Sequence, residues 1–390
     1  MSRRLLGSLA IAVAVGAVTV QPVGATVTTA GPQRTQTCDG TWHTVATPLD
    51  KRIDRRLYGV AAVSATDAWA VGQGINRSKP GKPLIERWDG TTWTIMASPL
   101  PSGAMNGVLH AISVVSATDV WAVGQYQSAS SDHLVLAEHW NGTAWNPVSS
   151  GILGNDVNAN GVDALSATDV WLVGDQGRNT TGVLTTFAAH WNGSAWAAVP
   201  SPNKHYSVDD MLQAVSGTAS GDVWAVGGYS DVTRFYGLVE HWNGSAWSIV
   251  KSPATAFVLN GVAATSATNA WSVSVDGSGN FLETERWNGT AWNSVSNVPG
   301  SEPTGDAISA AGADDIWLIG TTYPESGQRV PLAEHWNGFS WTRVSSTFPV
   351  AIALEMHGVS VTADGGTAFA VGAFLKTGTG KARSLAEIWC

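Results

Sequence analysis

Seven polar side chains occupy one recurring position of this 390-residue chain, and as a set they could do chemistry. Tyr58, His110, Asn160, Gln213, Asn260, Asp306 and His357 each stand directly before the small residue that opens a run of small and branched residues. They supply two imidazoles, one carboxylate, three carboxamides and a phenol. An imidazole such as that of His110 or His357 can serve as a general base near neutral pH. Asn160, Asn260 and Asp306 offer the oxygen donors that Ca²⁺ prefers. The same set has a plainer reading, in which these positions are simply wet and therefore polar.

Other chemistry-bearing residues recur too regularly to be a site. A glutamate returns at 86, 138, 240, 285, 334 and 387, followed by His139, His241 and His335, or by Arg87 and Arg286. His190 holds the same place without the glutamate. A metal ligand would not exchange with arginine, and ligation needs several histidines together, not one per repeat. We read the glutamates as structural acceptors for neighbouring tryptophan N–H groups. The sequence contains no nucleophile elbow, phosphate loop or metal-spaced Cys/His cluster.

The elements that position these residues follow from the repeat. Ser64-Ala65-Thr66-Asp67-Ala68-Trp69-Ala70-Val71-Gly72 returns as Ser116–Gly124 and Ser166–Gly174, and more loosely around Trp224, Trp271, Trp317 and Phe369. A second phrase, Glu86-Arg87-Trp88-Asp89-Gly90-Thr91-Thr92-Trp93, follows each copy at steps of 45 to 53 residues. All 20 tryptophans fall on these phrases, which marks them as core. Each unit reads as four short strands, in the first unit Gly59–Val63, Ala68–Val71, Pro83–Trp88 and Trp93–Met96. A Ser-Ala-Thr-Asp turn, its Asp bonded to its own backbone, joins the first two. An Asn-Gly or Asp-Gly hairpin joins the last two. As a two-residue turn, Asn141-Gly142 pairs Trp140 with Thr143 and Glu138 with Trp145.

The last repeat has three strands and ends at Trp389-Cys390, while Cys38-Asp39-Gly40-Thr41-Trp42 matches the missing hairpin and outer strand. Cys38 and Cys390 are the only two cysteines and meet at this seam, so a disulfide is expected to replace the missing peptide link. The chain-entropy model gives such a long loop on the order of 5 kcal/mol.

The totals narrow the partners. The net charge is −9 and charged residues make up 13% of the chain, about half the usual share. That argues against nucleic acid and against insertion into or binding of an anionic membrane. Arg3 and Arg4, the apolar stretch Leu5–Val20 and the small residues Val23-Gly24-Ala25 read as an export signal cleaved near Ala25. The expected organisation is a signal peptide over 1–25, a linker over 26–37 and one repeat domain over 38–390, secreted and soluble, where a disulfide persists.

Four-stranded units repeated seven times with offset ends resemble the β-propeller superfamily, over about residues 38–390. The resemblance implies an all-β seven-bladed propeller of four-stranded antiparallel blades, the last closed by the N-terminal strand. The wording is similar to propellers of secreted bacterial proteins. It lacks the WD40 Gly-His…Trp-Asp wording and the Ser-x-Asp-x-Gly-x-Thr-Trp box of sialidases. Related propellers include lectins, among them lectin-type subunits of bacterial toxin particles.

In such a ring the seven polar residues would flank the mouth of the central channel, and the variable connections would share that face. These are Gln73–Lys82, Asp175–Thr185, Tyr229–Phe235 and Pro202–Asp210. Tyr126, Tyr206, Tyr229, Tyr236 and Tyr323 lie in or beside such loops and suit a wet ligand such as a sugar. The expected function is a non-enzymatic, lectin-like binding module for a glycan or cell-surface ligand, without an obligate cofactor. It would act as a monomer or as a subunit of a toxin or adhesin assembly with other secreted proteins. The alternatives are a lyase, lactonase or hydrolase at the channel mouth, with Ca²⁺ there, and a protein-interaction scaffold.

Overall fold

The computed structural model describes residues 38–390 apart from 51, 77–78, 131, 150–153, 155, 178–181, 205–207, 232, 254–255, 277–281, 297–303, 323–328, 348–352 and 376–380. The signal, cleavage site and linker expected over 1–37 lie outside the described residues, as do Tyr206 and Tyr323.

The described chain is all β, seven antiparallel sheets in a ring. The inner strands are Asp54–Ser64, Asn106–Ser116, Val157–Ser166, Asp209–Ala219, Ala256–Ser266, Thr304–Gly312 and Ala353–Val361. Each packs on the next, and the seventh packs on the first. Blades 1 to 6 each order their strands as in the chain, in blade 1 Asp54–Ser64, Asp67–Asn76, Lys79–Trp88 and Trp93–Met96. The second and third strands are longer than their apolar cores suggest and pair out to Asn76 and Lys79. The variable face is therefore built partly of hairpin rather than loop.

Blade 7 takes its outer strand from the start of the domain. Trp42–Val45 pairs antiparallel with Ala382–Trp389, bringing Trp42 opposite Trp389. Cys38 and Cys390 are disulfide-bonded there, with Cα atoms 4.7 Å apart. A short strand, Ser346–Thr347, adds a fifth member parallel to Trp42–Val45.

The core lies between blades. The second-strand tryptophan of each of blades 1 to 6 inserts between the two second-phrase tryptophans of the next. Trp69 meets Trp140 and Trp145 at 4.9 and 5.3 Å, and Trp171 meets Trp242 and Trp247 at 4.9 and 5.2 Å. Trp317 meets Trp389 and Trp42 in the same way, at 4.6 and 5.4 Å, so the seam reproduces an ordinary blade boundary.

The His/Arg position has a structural role. His139, His190, His241 and His335 bond Asp119, Asp169, Asp222 and Asp315 at 2.7–2.8 Å. Each imidazole also lies over the tryptophan of its own blade, at 4.3–4.6 Å. Arg87 bonds Asp67 at 2.9 Å and covers Trp69 at 4.7 Å, and Arg286 covers Trp271 at 5.1 Å. Both groups are flat, carry N–H donors and pack on an indole face, which is why they interchange. In blade 7, where Phe369 replaces tryptophan, the covering residue is Ile388.

Three local expectations are corrected. The Asn-Gly loop is not a two-residue turn: Trp140 pairs with Trp145, and Glu138 with Pro147. Asn141 Oδ1 accepts both the Thr143 and Ala144 N–H groups at 3.0 Å, which holds a longer loop with Gly142 at φ 89°. In the first turn the serine, not the aspartate, bonds the backbone, Ser116 Oγ accepting the Thr118 N–H at 3.3 Å, because the aspartate is engaged by His or Arg. The glutamates do not receive indole N–H groups. Trp88, Trp140, Trp191, Trp242 and Trp287 donate to turn carbonyls at 3.1–3.2 Å. Glu138, Glu240, Glu285 and Glu387 instead accept hydroxyls of Ser98, Ser201, Ser252 and Ser346, which lie on the link from the preceding blade, at 2.7–3.0 Å. A shared sheet face did not imply contact, because the glutamate points at that link. Burial pushes Glu138 and Glu387 up to about 7, and Glu86, Glu240 and Glu285 to about 8.

Candidate functional site

The seven polar residues share one backbone feature: each is the extra residue of a β-bulge. Pairing with the second strand skips between Leu57 and Gly59, Leu109 and Ala111, Ala159 and Gly161, Leu212 and Ala214, Leu259 and Gly261, Gly305 and Ala307, and Met356 and Gly358. Gln213 thus joins the set on the same footing as the others. A bulge turns its extra side chain out of the regular alternation, which frees this position from the apolar pattern around it.

The bulge also explains the glycine that ends the first phrase in six of the seven blades, whereas blade 5 alone carries Ser274. A Cβ on Gly72, Gly124, Gly174, Gly227, Gly320 or Gly372 would meet the carbonyl oxygen of Arg56, Val108, Asn158, Met211, Thr304 or Glu355 at 1.7–2.1 Å. Those carbonyls belong to residues two before the extra one.

Several mouth residues bolt neighbouring blades together. His110 Nδ1 lies 3.1 Å from Ala159 O, Asn160 donates to Leu212 O at 2.9 Å, and Asn260 donates to Gly305 O at 2.8 Å. Asn160 also donates to Asp175 at 2.9 Å, beside Asn158 at 2.8 Å. Gln213 approaches only Met211 Sδ, at 3.3 Å. Burial lowers the His110 pKa and raises that of Tyr58.

A charged group gathers where blades 6, 7 and 1 meet. Tyr58 lies between His357, at 5.4 Å between ring centroids, and His110, at 6.0 Å. Glu355 accepts from Arg56 at 3.3 Å and from Arg329 at 3.1 Å. His357 Nε2 has no hydrogen bond and stands 3.6 Å from Glu355. His357, with the two guanidiniums, keeps Glu355 below the usual carboxylate range. Burial pushes Asp306 up to about 6, against the pull of His357. The sequence reading missed Arg56, Glu355 and Arg329. Two residues before the bulge, an ionic side chain occurs only in the adjacent blades 7 and 1, and that was the available signal.

The loop tyrosines separate into two environments, and all three described ones stand on strands near hairpin tips rather than in loops. Tyr229 and Tyr236 are cross-strand partners and stack at 5.0 Å. Lys204 covers one ring at 5.3 Å and Arg234 the other at 5.0 Å, and the Tyr236 hydroxyl donates to Asp231 at 2.8 Å. This pair is stacked on itself. Tyr126 instead lines a cleft of about 200 Å³ between blades 1 and 2, with Gln73, Ile75, Gly81, Asn106, Val108, Gln125, Gln127 and His133.

Gln73 donates to Gly107 O at 3.0 Å, and Asn106 to Gln127 Oε1 at 2.9 Å. Among the described residues no carboxylate, lysine or arginine lines the cleft. Its carboxamides were not foreseen, although the residue after the repeat glycine is glutamine only in adjacent blades 1 and 2, at Gln73 and Gln125. Among the described residues no group of three or more His, Cys, Asp and Glu could hold a metal ion, and no helix is long and apolar enough to cross a membrane.

No protein-family profile matches the chain, and no curated protein does. Solved structures share the fold. YCF48 from Cyanidioschyzon merolae superposes with a TM-score of 0.55 at 15% identity, over 90% of this chain and 99% of the other. A protein of unknown function from Dyadobacter fermentans superposes with a TM-score of 0.50 at 12% identity, over 89% and 97%. At these identities the likeness concerns architecture, and the chain is a seven-bladed β-propeller.

Proposed function

We propose that the protein is an exported, non-enzymatic binding module for a neutral carbohydrate, held in the cleft between blades 1 and 2. One observation carries this reading. The cleft presents four carboxamides, a phenol and an imidazole, with no carboxylate, lysine or arginine among the described lining residues. A carboxamide offers a donor and an acceptor side by side, which suits adjacent hydroxyls, and the Tyr126 ring offers an apolar face beside them. A volume of about 200 Å³ is below the roughly 300–1,000 Å³ of clefts for drug-sized ligands, so it fits one ring of a longer glycan. The N-terminal Arg3-Arg4, apolar stretch and Ala25 support export.

A glycan array followed by calorimetry tests the proposal. Binding that falls at least tenfold in Tyr126→Ala and in Gln73→Ala, with unchanged melting, is the expected result. Absence of binding across a broad array would overturn it.

A second reading, hydrolase or lyase chemistry at the channel mouth, is favoured by His357 Nε2, which among the described residues lacks a hydrogen bond, near a half-buried Asp306. A Ca²⁺ held by Asn160, Asn260 and Asp306 belongs to it, and would require both carboxamides to turn from the carbonyls they now bind. A His357→Ala variant that keeps every detectable activity removes this residue from that role.

A further inference from the structure

Among the departures from the repeat on the face that carries the short turns, two complement each other. In blades 1, 2, 3 and 5 a threonine of the first turn lies against the loop glycine of the same blade. A Cβ on Gly90, Gly142, Gly193 or Gly289 would meet Thr66, Thr118, Thr168 or Thr268 at 2.6–3.1 Å. Blade 4 carries Gly221 there, and Gly244 faces only its bare Cα. A cleft of about 350 Å³ lies there between blades 3 and 4, walled by Asp169, His190, Val199 and Trp242, with the buried Trp171 beneath. Between blades 2 and 3 the Thr168 side chain stands at the place that Gly221 leaves open.

The second departure is a knob. The residue after the loop glycine is Thr91, Thr143, Ser194, Ser245 or Thr290 in blades 1 to 5, each with its hydroxyl on the loop Asp or Asn at 2.7–2.8 Å. Blade 6 has Phe339, 91% exposed. Asn337 still accepts the Phe339 and Ser340 N–H groups at 3.1 Å, so the loop forms without the hydroxyl and does not require the phenyl ring.

We propose that Phe339 of one copy seats in the blade 3–4 cleft of a second copy, and the reverse, in a face-to-face dimer. The symmetry permits this without a special arrangement. Phe339 and Gly244 sit on the equivalent third-to-fourth-strand loop of their blades, and so at similar distances from the propeller axis. Two rings stacked on this face are related by a two-fold axis lying between them. For two points at one radius, such an axis exists that exchanges them. A single rotation therefore makes both contacts, and the pair closes on itself as an isologous interface. The chemistry agrees, since an aromatic ring enters a cleft that offers it the half-buried Trp242 and Val199 beside the His190–Asp169 pair, over a buried Trp171. The variable faces then point outward, with one blade 1–2 cleft at each end.

Sedimentation velocity on the wild type, Phe339→Thr and Gly221→Thr tests this. Each substitution installs the residue found at that place in other blades. A Cβ at Gly221 meets nothing closer than 3.6 Å, and its φ is not positive, so both variants should melt as the wild type does. The expected result is a wild-type dimer that weakens at least tenfold in either variant. An equimolar mixture of the variants should form a heterodimer tighter than either variant's own dimer and weaker than the wild type, because only one of the two contacts is restored, the open cleft of one accepting the phenylalanine of the other. A wild type monomeric at tens of micromolar, a dimer that persists in either variant, or a mixture without recovery would each overturn the proposal.

Discussion

Ser98, on the link leaving blade 1, donates its hydroxyl to Glu138 of blade 2 at 2.7 Å, and the carboxyl it meets is fully buried. The same contact recurs as Ser201–Glu240, Ser252–Glu285 and Ser346–Glu387. A glutamate repeated around a ring invites a catalytic interpretation, but here it is a buried acceptor, its pKa raised by burial, that fastens one blade to the link before it.

These carboxyls make stability depend on pH with an unusual sign. Their folded pKa values, about 7 to 8, lie above the unfolded value of 4.5. The stabilisation is complete below about pH 4.5 and declines as pH rises through 7 to 8, because the unfolded chain loses these protons first. Unfolding at pH 6.5 should release up to about one proton per group, so stability falls by up to about 1.4 kcal/mol per pH unit for each. Melting temperature should fall from pH 5 to pH 8.5, with a shallower slope in Glu138→Gln. A melting temperature that rises over this range would contradict the assignment.

Reducing the Cys38–Cys390 bond, or replacing both residues by serine, should cost about 2–5 kcal/mol. The first strand to exchange amide hydrogens should be Trp42–Val45, which the rest of blade 7 holds without a peptide connection. Calorimetry with and without reductant, together with hydrogen exchange, reads both effects.

The bulge leaves no room for a Cβ at the repeat glycine of six blades, whereas blade 5 accommodates Ser274 at the same place. Gly320→Ala would bring Cβ to 1.7 Å from Thr304 O, and about 3 kcal/mol or more of stability should be lost. Gly103→Ala meets no neighbouring atom but strains a backbone at φ 82°, and should cost less. Denaturant titration of the two variants separates the causes.

His139 should be replaceable by arginine but not by alanine. Arginine fills this place in blades 1 and 5, while alanine leaves Asp119 without its partner and Trp121 uncovered. His139→Ala should cost about 1–2 kcal/mol and His139→Arg less than half of that, by thermal melts at pH 7.

The sequence alone determined the ring. Tryptophan and glycine recur at fixed steps because each blade solves the same packing problem, so strand count, blade count, the seam at Cys38 and Cys390 and the alignment of seven polar positions were all readable from periodicity. What periodicity could not carry was the direction of side chains and the contacts between repeats. Trp140 faces Trp145, and not Thr143, because the Asn141 side chain competes for the loop N–H groups. The seven polar residues became legible as bulges only once strand register was known. The blade 1–2 cleft, the Arg56–Glu355–Arg329 cluster and the pairing of Phe339 with the place vacated at Gly221 join residues of different repeats. Their juxtaposition is set by how neighbouring sheets pack, a property of the tertiary structure with no local signature in the chain.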